Sequence, residues 1–136
     1  MNALSRVLVF KISATLLFWS LPLILLPADL IEAAGFPHQD SYMFVRMLGW
    51  AYLTLCVGYG FALRDALQGR RAMAQIWVGI VSNGGAFGYL ACYGFSGAWN
   101  NWGSLIQFVA WGSVVATLLI TLGLWRYGIR GSGPAV

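Results

Sequence analysis

Four long apolar runs, separated by short polar segments, constrain this chain more than any other feature. They cover residues 7–26, 43–63, 72–93 and 104–124. Each run is close to the roughly 20 residues that an α-helix needs to cross about 30 Å of hydrocarbon. None shows the period of two that a barrel strand requires, and a helix satisfies its backbone polar groups within its own segment. The sequence therefore predicts an all-α integral membrane bundle of four transmembrane helices.

Composition excludes an ordinary soluble domain. The chain is 60% hydrophobic and only 9% charged, whereas soluble globular domains carry about 25% charged residues. The segments outside the runs are two outer loops, 27–42 and 94–103, a cytoplasmic loop, 64–71, and a cytoplasmic tail, 125–136. These segments are too short to form a second domain, so we expect one membrane domain over residues 1–136.

The distribution of cations predicts how the bundle is oriented. Seven of the eight lysines and arginines lie on one side of the predicted membrane: Arg6, Lys11, Arg64, Arg70, Arg71, Arg126 and Arg130. Only Arg46 lies on the other side, which also carries the three carboxylates of loop 27–42. Because cytoplasmic loops carry an excess of Lys and Arg, we predict a multi-pass protein of the bacterial inner membrane with both termini in the cytoplasm. The net charge of +4 has the same explanation, and no nucleic-acid partner is expected.

Small and polar residues inside the runs predict where the helices meet. The stretch IVSNGGAFGYL places Asn83 near the middle of the third run, beside Gly84 and Gly88. The G-x-x-x-G spacing lets a neighbouring backbone approach closely, and polar side chains at one depth can hydrogen-bond between helices. The predicted helix-packing residues are Gly49, Thr54, Gly60, Asn83, Gly84, Gly88, Gly112, Ser113 and Ala116.

The same asparagine leaves a second interpretation open, in which the second and third runs hold a ligand. Arg46 lies one turn into the second run, where it could bind an anionic head group or could simply pair with the loop carboxylates. Tyrosines that share helix faces could wall a flat ligand such as a quinone, or they could pack as ordinary aromatic residues. The predicted ligand-binding residues are Arg46, Tyr52, Tyr59, Asn83 and Tyr89.

The chain offers no constellation typical of a catalytic or metal site. His38 is the single histidine and its spacing to carboxylates fits no known metal site. Cys56 and Cys92 differ in predicted depth by about 15 Å, which exceeds the roughly 7 Å that a disulfide allows. No G-x-S-x-G, H-E-x-x-H or P-loop motif occurs. We therefore expect no catalytic residue, no metal and no intrinsic cofactor, with a quinone or lipid as the one candidate bound group.

The head of the second run reads Arg46-Met47-Leu48-Gly49-Trp50 and follows an outer loop that Pro27 opens. In this layout the chain resembles the DoxX-like group of small bacterial membrane proteins. The name of that group comes from a subunit associated with quinone-linked sulfur oxidation. The resemblance implies a membrane partner for a redox enzyme, and it carries over no catalytic residue.

These observations predict a small non-catalytic accessory or scaffold subunit. It would pack against a larger inner-membrane complex, with redox complexes among the candidates, or against copies of itself. One alternative is a quinone- or lipid-binding protein with Arg46 at the head group. The other is a small oligomeric transporter or channel whose polar track is formed by Ser113, Thr117 and Thr121.

Overall fold

A computed structural model describes residues 2–130, and these residues contain helices and no strand. The prediction of an all-α protein is therefore confirmed for the described part of the chain. The helices are α1 (Ala3–Leu25), α2 (Ala28–Ala33), α3 (Met43–Leu67), α4 (Met73–Phe95) and α5 (Ser104–Ile129).

Three of these helices, α1, α3 and α5, are long and apolar enough to cross a membrane. Helix α4 has 23 residues and is also long enough. Its mean hydropathy is below that of the three candidate spans, and it contains Gln75, Ser82, Asn83 and five glycines. The molecule is thus a helical protein with three candidate membrane-spanning helices.

The helices extend beyond the apolar runs from which they were predicted. Helix α1 begins at Ala3 rather than at residue 7, because the side chain of Asn2 accepts a hydrogen bond from the backbone N–H of Ser5 at 2.8 Å and caps the helix. Helix α3 runs to Leu67, and α5 runs to Ile129 through a final π-helical turn. Part of the predicted tail 125–136 is therefore helical, while residues 131–136 lie outside the described part of the chain.

Helix α1 contains a π-helical turn at Leu16–Ser20. Pro22 lies two residues after the end of this turn. Proline lacks a backbone N–H and its ring clashes with the preceding turn, so it disrupts the regular hydrogen-bond ladder and accounts for the irregular geometry at this point.

The long helices form two antiparallel pairs. In the first pair, Asn2 before α1 donates from its side chain to the carbonyl of Ala66 near the end of α3, at 2.8 Å. In the second, the rings of Trp77 in α4 and Trp125 in α5 lie 6.1 Å apart. One core cluster joins the two pairs, and its buried residues are Leu4, Leu8, Tyr59, Ala62, Ala66, Ile76, Ile120 and Leu124.

Both ends of the described chain lie at the same end of the bundle. Ile129 packs against the core cluster that contains Leu4 and Ala66. We call this end, formed by residues 2–6, 64–73 and 125–130, the cationic end. It carries six of the eight lysines and arginines.

The opposite end, formed by residues 24–42 and 94–104, is called the aromatic end. Its two loops are joined because the N–H of Gly103 donates to the carbonyl of Gly35 at 2.9 Å. Gly35 has a φ of 100°, and a Cβ there would overlap the backbone of Gly103. Both the positive φ and the close approach therefore require glycine. Beside this contact the rings of Phe36 and Trp102 lie 5.7 Å apart.

Candidate functional site

Four polar side chains meet inside the bundle where α1, α3 and α4 come together. We call Lys11, Tyr59, Ser82 and Asn83 the polar cluster. The Lys11 ammonium lies 4.2 Å from the centroid of the Tyr59 ring. The hydroxyls of Tyr59 and Ser82 are 3.0 Å apart. The cluster therefore links three helices through one tyrosine.

Asn83 completes the polar cluster from within α4. Its amide donates to the carbonyl of Gly79 at 2.6 Å and to the hydroxyl of Ser82 at 3.3 Å. Gly79 makes room for the tyrosine, because a Cβ there would lie 3.4 Å from a Tyr59 ring carbon and 2.6 Å from Leu124 Cδ1. The glycine thus lets α3 and α4 approach at the level of the cluster.

Lys11 is a buried cation, with 4% of its surface exposed. Among the described residues no acceptor hydrogen-bonds its ammonium, and the face of Tyr59 is its polar contact. A desolvated cation–π contact contributes about 2 kcal/mol or more, while burial of an ammonium costs several kcal/mol. Burial of the Lys11 ammonium is therefore expected to lower the stability of the folded protein.

From the sequence, Lys11 was predicted only to mark the cytoplasmic side, and its burial was not anticipated. The signal was present: Lys11 follows Leu4 by seven residues and Leu8 by three. That spacing places all three on one helix face, and both leucines are core residues.

Arg46 holds the end of α1. Its Nη1 donates to the carbonyl of Leu23 at 2.6 Å, and its guanidinium lies 6.0 Å from the Tyr42 ring. The last four carbonyls of a helix lack an intrahelical partner, and a cation there also interacts favourably with the helix dipole. Within residues 2–130 Arg46 forms no ion pair with a loop carboxylate.

The five predicted ligand-binding residues do not converge on one slot. Tyr52 packs against Trp19, with ring centroids 6.2 Å apart. Tyr89 is 64% exposed and stacks on Tyr93. Only Tyr59 and Asn83 come together, through Ser82. Arg46 is 13 residues from Tyr59 along α3, or about 20 Å along a helix axis.

Thr54, Asn83 and Ser113, the polar side chains predicted to lie at one depth and bond between helices, do not bond to one another. Thr54 donates to the carbonyl of Trp50 in its own helix at 3.0 Å. Ser113 instead accepts a hydrogen bond from Trp19 Nε1 at 3.0 Å, which joins α1 to α5. This contact between helices was not anticipated from the sequence, which gave no partner for Trp19.

The hydroxyl row on α5 is directed to its own backbone. Thr117 donates to the carbonyl of Ser113 at 2.7 Å, and Thr121 donates to that of Thr117 at 2.8 Å. The transporter interpretation that used this row stays a prediction.

The predicted packing glycines fall into two groups. A Cβ on Gly49 would lie 2.8 Å from Ile24 Cγ1, and one on Gly84 would lie 3.7 Å from Thr121 Cγ2, so both face a neighbouring helix. The second group has no described atom within 4 Å of such a Cβ and comprises Gly60, Gly88 and Gly112. Ala116 lies half-buried in α5.

The exposed residues of α4 and α5 recur at the same spacing along each helix but differ in side-chain size. On α4 the exposed residues at alternating steps of three and four, here named the α4 seam, are Val78, Val81, Gly85, Gly88, Cys92 and Phe95. On α5 the corresponding exposed residues, the α5 face, are Leu105, Phe108, Gly112, Val115, Leu119 and Leu122. The middle of the α4 seam is small, whereas the α5 face is bulky on both sides of one glycine.

Two open recesses lie between the helices. The recess between α3 and α4 has a volume of about 170 Å³ and is lined by Thr54, Leu55, Gly58, Tyr59, Gln75 and Val78. The recess between α1 and α5 has a volume of about 270 Å³ and is lined by Arg6, Val7, Phe10, Leu119 and Ile120.

Glu32 organises a polar network at the aromatic end. Its Oε1 accepts a hydrogen bond from the Tyr42 hydroxyl at 2.7 Å and lies 2.9 Å from His38 Nδ1. The bond from Tyr42, followed by the contact with His38, lowers the pKa of Glu32. Desolvation and the bond to Glu32 raise the pKa of Tyr42 to about 12. The described residues contain no group of three or more His, Cys, Asp or Glu side chains that could hold a metal ion.

Comparison of the chain with protein-family models, with curated proteins and with solved structures finds no match in any of the three. The resemblance to the DoxX-like group therefore stays a prediction.

Proposed function

We propose that the chain is a small non-catalytic accessory or scaffold subunit of the bacterial inner membrane that assembles through the α4 seam. The α4 seam is the observation that supports assembly. Its six residues are exposed, and its middle consists of the small residues Gly85, Gly88 and Cys92. In this proposal four helices cross the bilayer and both termini lie in the cytoplasm.

The pairing of α4 with α5 supports four spans. Helix α5 is a candidate span, and α4 contacts it at both ends. The rings of Trp77 and Trp125 lie 6.1 Å apart next to the cationic end. At the aromatic end a Cβ on Gly94 would lie 2.9 Å from Trp111 Cη2. A helix that accompanies a span over this length covers the same depth of the bilayer.

The burial of its polar residues explains why α4 tolerates a lower hydrophobicity. Asn83 is 6% exposed, and its amide is bonded within α4. A polar group that is satisfied inside the bundle avoids the penalty of facing hydrocarbon. The cations at one end of the bundle support the cytoplasmic placement of that end, because cytoplasmic segments carry the excess of Lys and Arg.

Small residues favour a helix partner over lipid. In a bilayer, helices associate through close packing rather than through a hydrophobic driving force, and glycine lets two backbones approach. Alternating steps of three and four are the spacing of helices that cross at about 20°. The α5 face has the same steps with bulky side chains, which suit contact with acyl chains.

The occupant that we propose for the α4 seam is a second copy of the chain. A two-fold axis along the membrane normal sets each seam residue opposite its own copy, so Gly85 and Gly88 face Gly85 and Gly88 of the partner. Such an interface is closed and self-complementary. The seam suits this arrangement because its small residues occupy the centre and its larger ones, Val78 and Phe95, the two ends.

The test compares Gly88→Leu with Gly112→Leu. Both glycines are exposed, and neither has a described atom within 4 Å of an added Cβ, so the substitutions are matched in helix propensity and space. We expect the wild type and Gly112→Leu to be dimers in lipid nanodiscs or mild detergent, and Gly88→Leu to be monomeric. Mass measured by light scattering or native mass spectrometry decides.

Cys92 supplies an independent readout, since it is exposed on the seam while Cys56 is buried. Mild oxidation of native membranes should link two copies through Cys92, and Gly88→Leu or Cys92→Ser should abolish the link while Cys56→Ser preserves it. A wild-type protein that is a lone monomer and co-purifies with nothing would contradict the proposed function. Capture of another membrane protein that Gly88→Leu releases would make that protein the occupant instead of a second copy.

The recess between α3 and α4 favours one second candidate, a lipid- or quinone-binding protein. The recess opens between the two helices predicted to hold a ligand, and Tyr59 and Gln75 are among the residues that line it. Gly58→Leu would fill it, whereas Gly60→Leu adds the same side chain outside the lining. Quinone or lipid in an extract of the purified protein should fall in Gly58→Leu and persist in Gly60→Leu. Equal content in both variants argues against this candidate.

A further inference from the structure

We infer that the recess between α1 and α5 binds one anionic phospholipid, with the start of an acyl chain between the helices and the phosphate on Arg6. The site shares no residue with the α4 seam and does not depend on it. It is therefore a separate binding function of the bundle.

The recess has an apolar body and one cationic wall. Val7 and Phe10 line it from α1, and Leu119 and Ile120 line it from α5. From Arg6 to Phe10 the wall extends about 6 Å along the helix axis. That length accommodates the first part of an acyl chain, while the remainder of the chain lies in the bilayer.

The position of the recess follows from a close approach of the two helices. A Cβ on Gly123 would lie 2.9 Å from Val7 Cγ2, so α5 touches α1 there. Phe10 and Leu119 lie farther from the cationic end and leave the space between them open. The opening therefore faces the acyl region of the bilayer, with its cation toward the head groups.

Charge complementarity selects the head group. Arg6 is exposed, and no side chain among the described residues pairs with it. Asp65, the one carboxylate at the cationic end, lies 2.7 Å from Arg70. A guanidinium binds phosphate through two parallel hydrogen bonds, and a zwitterionic head group would bring its own cation into this positive field.

The same end of the bundle contains the matched control. Arg64 is exposed in the last turn of α3 and lines neither recess. General attraction of a basic surface to anionic lipid would involve Arg64 as much as Arg6. A specific phospholipid site in the recess would depend on Arg6 and not on Arg64.

The experiment places the full chain in nanodiscs of phosphatidylglycerol and phosphatidylcholine with identical acyl chains and counts the lipids retained on release by native mass spectrometry. We expect the wild type to retain phosphatidylglycerol in preference. Arg6→Gln should lower that preference about five-fold, Arg64→Gln should leave it unchanged, and Leu119→Trp should reduce both lipids by filling the recess. Equal losses in the two arginine variants, or no preference in the wild type, would overturn the site.

A measurement on the wild-type chain tests the site without relying on the folding of any variant. A photoreactive phosphatidylglycerol with its reactive group near the glycerol should label peptides that contain residues 6–10 and 119–120. Labelling confined to the loop between α3 and α4 would overturn the inference in favour of a diffuse surface.

Discussion

The two ends of the bundle are closed by different kinds of contact. At the cationic end and in the helical turns next to it, glycines contact flexible aliphatic side chains: a Cβ on Gly128 would meet Ile76, and one on Gly79 would meet Leu124. At the aromatic end, Gly35 meets the backbone of Gly103, and Gly94 meets the rigid ring of Trp99. An aliphatic side chain can change rotamer, whereas a backbone or an indole cannot move without displacing a loop. The aromatic end should therefore tolerate substitution less well.

The largest expected effect is that of Gly35→Ala. The added methyl group would overlap the backbone of Gly103 at a φ of 100°, so strain and overpacking together should lower the free energy of unfolding by about 3 kcal/mol. The control is Gly69→Ala at the cationic end, where φ is 75° but no atom of the described residues lies within 4 Å of an added Cβ. That variant should lose only about 1 kcal/mol. The free energy of unfolding is measured by SDS-induced unfolding. Equal losses in the two variants would contradict the expected difference in tolerance between the two ends.

Lys11→Met tests whether the buried ammonium of the polar cluster destabilises the part of the bundle next to the cationic end. Replacing a buried charge with an apolar side chain of similar volume is often stabilising, so we expect the free energy of unfolding to rise by about 2 kcal/mol. Lys11→Ala should lower it, because truncation leaves a cavity beside Tyr59. A clear fall in Lys11→Met, measured by thermal unfolding in mild detergent, would mean that the ammonium is stabilised by a partner.

Arg46→Gln tests the cap that closes α1 next to the aromatic end. Loss of the charge-assisted bond to Leu23 should lower the free energy of unfolding by about 1.5 kcal/mol. Arg46→Lys should recover part of that loss through its charge at the end of α1. Arg64→Gln, which removes an exposed arginine at the other end, should change stability by less than about 0.5 kcal/mol. If Arg46→Gln instead empties a bound quinone without destabilising the protein, the capping role is wrong.

Acidification should loosen only the aromatic end. The pKa of Glu32 is lowered from its usual value of 4.5 by the hydrogen bond from Tyr42. The contribution of the ionised carboxylate is therefore present above pH 4.5 and is lost as the pH falls through the lowered pKa. NMR signals of the Tyr42 ring should shift in that range in the wild type but not in Glu32→Gln, while the indole signals of Trp77 and Trp125 stay constant. A matching shift at both ends would point to global unfolding.

The helices were predictable because an apolar run of about 20 residues has few structural alternatives in lipid. Helix boundaries were less accurate, since the cap at Asn2 and the last turns of α3 and α5 lie outside the apolar core. The predicted ligand slot was the feature that the sequence predicted least well. Tyr52, Tyr59 and Tyr89 have suitable chemistry, but whether side chains converge depends on how each helix is rotated.

For both Arg46 and Lys11, the sequence showed the position of a cation but not the group that contacts it. The sequence indicated an unusual cation at Arg46 but could not indicate the carbonyl of Leu23, which is 23 residues away in the chain. It also placed Lys11 on a leucine-rich face without indicating that Tyr59 would cover it.

By itself the sequence determined the helical class, the apolar character of three helices and the distribution of charge between loops. These properties follow from local hydrophobicity and from the need of each backbone segment for internal hydrogen bonds. Three features depend on how the helices pack: Lys11 is buried, Arg46 caps α1, and Gly84 faces Thr121 while no atom of residues 2–130 lies within 4 Å of a Cβ on Gly88. The reason is that the partner of each side chain depends on helix rotation and crossing, which the packing of all the helices sets together.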